Sequence, residues 1–280
     1  MVPLAVFPLV LVAAVCHAAW NALMKASENP LSLAARAMTL GTVVSLPPVA
    51  TLWLIQGRPG LPFAGWLLAL GSAMLELTYF ITLSTAYRRG ELSVVYPIAR
   101  GTAPLLAVAV GVVILGERLH LVAVAGILLL LGGIWAVRRP TSAGAALGPA
   151  VMTGILIAAY TSLDRVGVRL GPPWLYGWLL WLFAAIFLLV FTRTRRVTER
   201  RLTDELGTSL AVGVLMTAAY FMILFALSIA PLAIVAPLRE SAIVLVTAWG
   251  IWRLGERRGA WIRIAGAVAI VGGIALLTIA

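Results

Sequence analysis

Pro97-Ile98-Ala99-Arg100-Gly101 sits inside an apolar run at 92–115 that is long enough to cross a bilayer. A proline in such a run removes a backbone donor and bends the helix. An arginine there places a permanent charge at membrane depth, at a cost of about 3 kcal/mol at mid-helix. One repeat later the chain does it again, with Pro237-Leu238-Arg239-Glu240-Ser241 inside the run 232–254. A costly feature that occurs twice at matching positions points to a use.

Composition sets the class. The 280 residues are 62% hydrophobic and 11% charged, with a mean hydropathy of +1.05. A soluble domain carries roughly 25% charged residues, so this is an integral membrane protein with little mass outside the bilayer. The net charge of +11 does not read as a nucleic-acid footprint, because the arginines cluster between apolar runs, where they mark topology. The single cysteine, Cys16, lies in the first run, so neither a disulfide framework nor a cysteine metal motif is present. No basic region precedes that run, which is expected to be a retained helix and not a cleaved signal peptide.

Apolar runs fall at 3–24, 31–55, 63–87, 92–115, 119–137, 145–166, 174–192, 206–229, 232–254 and 260–279. They predict an all-α integral membrane protein of ten transmembrane helices, with no room for a soluble domain. The run ends carry turn signals such as Asn29-Pro30, Gly57-Arg58-Pro59-Gly60 and Gly171-Pro172-Pro173. Trp53, Trp66, Trp135, Trp174 and Trp252 lie near run ends, where interfacial aromatics belong.

The chain is internally duplicated. Tyr79-Phe80 recurs as Tyr220-Phe221, and Gly116-Glu117-Arg118 as Gly255-Glu256-Arg257. Gly126 and Gly132-Gly133 recur as Gly266 and Gly272-Gly273. Trp20-Asn21, closing with Lys25, faces Tyr160-Thr161, closing with Arg165. The copies divide at 1–139 and 145–280. Each holds five helices, an odd number, so the second enters the membrane from the opposite side. Inverted repeats are the build of secondary transporters, which place a binding site at mid-membrane between two halves that rock about it.

Loop arginines orient the chain. Arg58, Arg118, Arg165 and Arg169 lie on the side of the termini. Lys25, Arg88, Arg89, Arg138, Arg139, the cluster at 193–201, Arg253, Arg257, Arg258 and Arg263 lie on the other. The positive-inside rule puts the second group in the cytosol of a cytoplasmic (inner) membrane and both termini outside.

Two five-helix copies, each with a Gly-Glu turn before its fifth helix and a trailing Gly…Gly-Gly pattern, resemble the drug/metabolite transporter superfamily, in its ten-helix EamA-type branch. Trp20-Asn21…Lys25, Pro97 and Pro237 fit the same pattern. The resemblance covers essentially the whole chain. It implies export or exchange of small metabolites, with amino-acid exporters well represented, through a cavity lined mainly by helices 1, 3, 4, 6, 8 and 9. The second copy departs from the first in carrying Asp164 where Met24 aligns and Thr161 for Asn21.

The candidate substrate-binding residues are Trp20, Asn21, Glu76, Tyr79, Tyr96, Arg100, Tyr160, Tyr220 and Glu240, with Pro97 and Pro237 as paired helix bends. A lone glutamate in hydrocarbon must face the bundle interior, so Glu76 is a site for a substrate amine or a proton, or half of an ion pair with Arg100. The planar fork of Arg100 suits a carboxylate, supplied by substrate or by Glu76 or Glu240. Arg239 and Glu240 point about 100° apart on an α-helix, so one is expected to line the cavity and the other to pair with a neighbouring helix, Glu240 being favoured for the cavity. Trp20, Tyr79, Tyr96, Tyr160 and Tyr220 offer stacking surface. His17 is expected to be packed and neutral, and Asp164 to form a solvated surface pair with Arg165. Glu117 and Glu256 are expected to complement the positive start of the helix that follows each. No catalytic motif, metal set or phosphate loop is present, so no cofactor is expected and neither an enzyme nor an ATP-driven pump is indicated. The expected partners are a small-molecule substrate, an amino acid or similar metabolite, and the lipid bilayer, with the protein a monomer or weak homodimer.

Overall fold

The computed structural model describes residues 3–90, 92–137, 144–195, 205–241, 244 and 260–279. Among these are ten α-helices and no strand: α1 (Val6–Ala26), α2 (Pro30–Ile55), α3 (Phe63–Arg89), α4 (Leu92–Ala109), α5 (Leu121–Val137), α6 (Leu147–Gly167), α7 (Pro173–Thr194), α8 (Leu206–Ile229), α9 (Leu232–Leu238) and α10 (Ala260–Ile279). α4 runs on as a π-helical turn, Val110–Ile114, and α9 as a 3-10 turn, Arg239–Ser241. Glu256 and its Gly-Glu turn lie outside the described residues, as do Trp252 and the arginines 138, 139, 196, 200, 201, 253, 257 and 258. So do the side chains of Lys25, Tyr96, Pro97 and Arg263.

α1, α2, α3, α6, α7 and α8 are each long and apolar enough to cross a membrane, while α5, α10 and the stretch Ile98–Ile114 are shorter apolar helices. Their boundaries follow from the sequence. Pro30 opens α2, and the Asn29 side chain accepts from the Ser32 N–H at 3.2 Å, which satisfies one of the free donors of the first turn. Arg88 and Arg89 close α3, where positive charge complements the free carbonyls.

The packing follows the duplication. α3 packs on α6 as α1 packs on α8, α7 on α3 as α2 on α8, and α4 on α6 as α9 on α1. Each contact has its partner with the two copies exchanged, so neither copy completes its core alone. The inversion is visible where the two fifth helices, α5 and α10, meet. A Cβ on Gly126 would lie 2.9 Å from the carbonyl oxygen of Gly273, and one on Gly133 would lie 2.5 Å from that of Gly266. Low numbers on α5 meet high numbers on α10, so these equivalent helices run antiparallel. The protein is two inverted repeats of five helices.

The glycines of this seam separate into two kinds. Gly133 touches backbone, whereas a methyl group on Gly132 would meet nothing within 4 Å. Gly133→Ala is therefore expected to destabilise by about 1–3 kcal/mol through overpacking, and Gly132→Ala to leave stability unchanged or slightly raised. Thermal unfolding of the two variants in detergent checks the contrast.

Candidate functional site

The site is built where the fourth helices of the two copies meet. Arg100 lies within α4, and Glu240 lies in the 3-10 turn that follows α9. Nη1 of Arg100 donates to Oε1 of Glu240 at 3.0 Å, and both residues are buried. They are 140 residues apart, the spacing of the repeats. Two equivalent positions that touch each other lie on the axis relating the copies.

Arg239 and Glu240 do not separate as an α-helix would separate them. Both are buried, and Nε of Arg239 is 3.8 Å from the same Glu240 oxygen. The reason is local: α9 ends at Leu238, one residue after Pro237, and the tighter turn that follows resets the angle between successive side chains. α4, by contrast, stays helical through Pro97.

Beside this pair lies a row of aromatic rings drawn from both copies. Tyr79 packs edge-on against Phe80 at 4.8 Å between ring centres and against Tyr160 at 5.7 Å. Tyr160 meets Tyr220 at 6.2 Å, and Tyr220 stacks on Trp181 at 4.4 Å. Tyr79, Tyr160 and Tyr220 are thus brought together. Trp181 of α7 is a member the sequence reading missed. It carries no repeat partner of its kind, and its place is fixed by a bond to the Thr217 hydroxyl at 2.8 Å.

The first-copy residues on α1 form a knot of their own. Trp20 Nε1 donates to His17 Nδ1 at 2.9 Å, and Asn21 Nδ2 donates to the His17 carbonyl at 2.7 Å. Tyr87 of α3 reaches Asn21 Oδ1 at 3.5 Å. All four residues are buried. The indole N–H of Trp20 is therefore spent within α1, and what it offers a ligand is its ring.

Asp164 overturns the surface-pair expectation. It is 1% exposed, and it accepts from three hydroxyls: Ser72 at 2.6 Å and Tyr176 at 2.9 Å on Oδ1, and Tyr220 on Oδ2. Those donors come from α3, α7 and α8, helices that proximity to a run's end does not reveal. Arg165, the next residue round α6, points elsewhere. Its Nε donates to Glu117 Oε1 at 3.1 Å, and its Nη1 to the Leu227 carbonyl.

Glu117 also departs from expectation. It does not serve the start of the helix that follows it. Its Oε1 accepts from the Leu232 N–H at 2.7 Å, and its Oε2 from the Ala233 N–H at 2.9 Å. It therefore caps α9, in the other copy, where free N–H groups favour negative charge. Gly116 supplies the left-handed turn, with φ of 64°. Gly111 leaves room for this cap and for α9, since a Cβ there would be 2.5 Å from Glu117 Oε2 and 3.2 Å from the Ala233 nitrogen.

The sequence model of the EamA-like transporter family matches twice, over residues 5–139 and 145–279. The chain belongs to the EamA-like transporter family. It is a membrane transporter, then, and the paired matches fall on the two inverted copies. One solved crystal structure is similar to it with a TM-score of 0.73, covering 97% of this chain and 98% of its own, at 19% identity. At that identity the likeness is one of fold. No curated protein matches the chain.

Glu117 joins α6, α9 and the turn after α4 through one carboxylate. Glu117→Ala removes both the cap and a buried ion-pair partner, and is expected to destabilise by about 3 kcal/mol. Glu117→Gln, which can still accept from one N–H, is expected to lose less. Unfolding curves of the two variants in detergent give the comparison.

Proposed function

We propose that this transporter exports small zwitterionic metabolites, amino acids first among them, across the cytoplasmic membrane by alternating access. In this reading the arginine-rich side faces the cytosol and both termini lie outside, as the loop arginines argue. The observation that carries the proposal is the buried Arg100–Glu240 pair between the copies. Opening that pair for an ordinary ligand costs both residues an ion-pair partner inside the bundle, at several kcal/mol. A zwitterion avoids the loss. Its carboxylate takes the Arg100 fork as its ammonium takes Glu240, so two ion pairs replace one. The rings of Trp20, Tyr79, Tyr160 and Tyr220 would receive the side chain.

A second reading has its own support. Glu76 is 3% exposed, and its Oε2 has no hydrogen-bond partner. A carboxyl with one unpartnered oxygen beside aromatic rings also suits a hydrophobic organic cation, which would make the protein a multidrug exporter.

Proteoliposomes separate the two. A panel of labelled amino acids is expected to yield at least one that enters faster than into empty vesicles, while a labelled lipophilic cation does not. Movement of the cation with none of the amino acids would overturn the zwitterion reading.

A further inference from the structure

Four buried side-chain atoms have no hydrogen-bond partner among the described residues: His17 Nε2, Glu76 Oε2, Arg239 Nε and Ser241 Oγ. Three of the four belong to α1 and the 3-10 turn after α9, two elements that pack directly on each other. All three can donate. Arginine Nε donates only, and a serine hydroxyl has one hydrogen to give. For His17 the assignment follows from its neighbour. Trp20 Nε1 can only donate, and it meets His17 Nδ1 at 2.9 Å. Nδ1 is therefore the bare nitrogen of a neutral ring, and the hydrogen is on Nε2. Buried donors are costly to leave unpaired, so three on adjoining elements point to a ligand oxygen.

A protein oxygen marks the place. Glu240 Oε1 accepts from Arg100 Nη1 at 3.0 Å and lies 3.8 Å from Arg239 Nε. Two guanidinium groups thus converge on one carboxylate oxygen, and Arg239 stops short of a hydrogen bond to it. Glu240 is tethered to the same tight turn as Arg239. An incoming carboxylate that displaced it would be free of that tether and could close the gap. A carboxylate has about four lone-pair sites, enough for Arg100, Arg239 and two neutral donors.

We propose that Arg100, Arg239, Ser241 and His17 form a carboxylate subsite, which the Glu240 side chain occupies in this structure. Trp20 acts on the subsite through His17: its indole N–H holds the ring in the form whose other nitrogen donates. The subsite belongs to one side of the axis. The repeat counterparts of His17, Arg239 and Ser241 are Ile157, Ala99 and Gly101, none of which has a side-chain donor. A bound zwitterion therefore lies with its carboxylate against α1 and the turn. His17 is neutral, as expected of it, and its buried ring is a specificity group and not packing alone.

The transport arm rests on the amino-acid reading, and the binding arm does not. Binding is read by NMR of the purified protein in detergent, isotope-labelled at its two histidines, with a His120→Gln variant to assign the His17 ring. Wild type is expected to carry the His17 hydrogen on Nε2. In Glu240→Ala, acetate replaces the part of the side chain that was removed. It is expected to shift the His17 Nε2 resonance saturably, and methylamine is not. Adding Ser241→Ala is expected to weaken acetate binding about tenfold, the worth of one hydrogen bond to a charged group. If Glu240→Ala does not fold, the same titration is made on Glu240→Gln. Hydrogen on Nδ1, or a His17 ring that ignores acetate, overturns the proposal whatever the substrate. For transport, proteoliposomes compare competition by an amino acid with competition by the amine that lacks its carboxylate. His17→Asn keeps an acceptor for Trp20 and loses the Nε2 donor, and is expected to reduce the preference for the amino acid about tenfold. His17→Gln, which places an N–H near the Nε2 position, is expected to retain most of it. Equal weakening of both competitors in His17→Asn marks a packing role and overturns the proposal. If no amino acid moves in any vesicle, the amino-acid reading fails and the acetate titration alone decides the subsite.

Discussion

The salt bridge between Arg100 and Glu240 is the constraint from which the rest of the bundle takes its arrangement. Each residue is costly at membrane depth, and the ion pair offsets part of that cost for both. Meeting at 3.0 Å requires α4 and the turn after α9 to approach head to head. That approach brings Pro237 and the end of α9 to the bundle's centre. It also sets Glu117 where it can cap α9 from the opposite copy. Around the pair, helices exchange partners between copies. The fold is therefore held together at its middle by the same groups proposed to receive the substrate.

Duplication explains how such a pair could arise. At an axis relating two identical copies, a residue meets its own twin, and two arginines or two glutamates would repel. Once the copies sit in one chain they can diverge, and here one position has become arginine and the other glutamate. The same freedom shows elsewhere. Tyr79 and Tyr220 have stayed alike and keep the aromatic row continuous across the copies. Met24 and Asp164 have parted, so a carboxyl sits in one half of the bundle and a thioether in the other. The scaffold is close to symmetric and its chemistry is not. That inequality does not by itself set the direction of net transport, which a gradient must supply.

Much of this was legible in the residues. The spans follow from hydropathy, and the inversion from an odd number of helices per copy. The sequence also placed Arg100 and Glu240 at equivalent positions, though substrate, Glu76 and Glu240 all remained open as partners for Arg100. What spacing could not supply was the neighbour on another helix. Asp164 read as a surface residue because it stands near the end of its run. It is buried because Ser72, Tyr176 and Tyr220 converge on it from three helices. Glu117 read as serving the next helix in the chain, yet the helix it caps is more than a hundred residues on. Arg239 and Glu240 would diverge on an unbroken α-helix, but α9 ends at Leu238 and a 3-10 turn follows. Trp181 was missed because one tryptophan in an apolar run carries no signal of its partner Thr217.

Arg100 and Glu240 form one unit on the repeat axis. A double-mutant cycle with exchanged charge tests it most directly, read as thermal stability in detergent. Arg100→Glu and Glu240→Arg, each alone, place like charges face to face in the bundle. Each is predicted to destabilise by about 3–5 kcal/mol, as other broken buried pairs do. The double variant Arg100→Glu/Glu240→Arg restores opposite charge across the axis, and is predicted to recover most of that loss. Additive losses in the double variant would contradict it, since the two residues would then be acting independently.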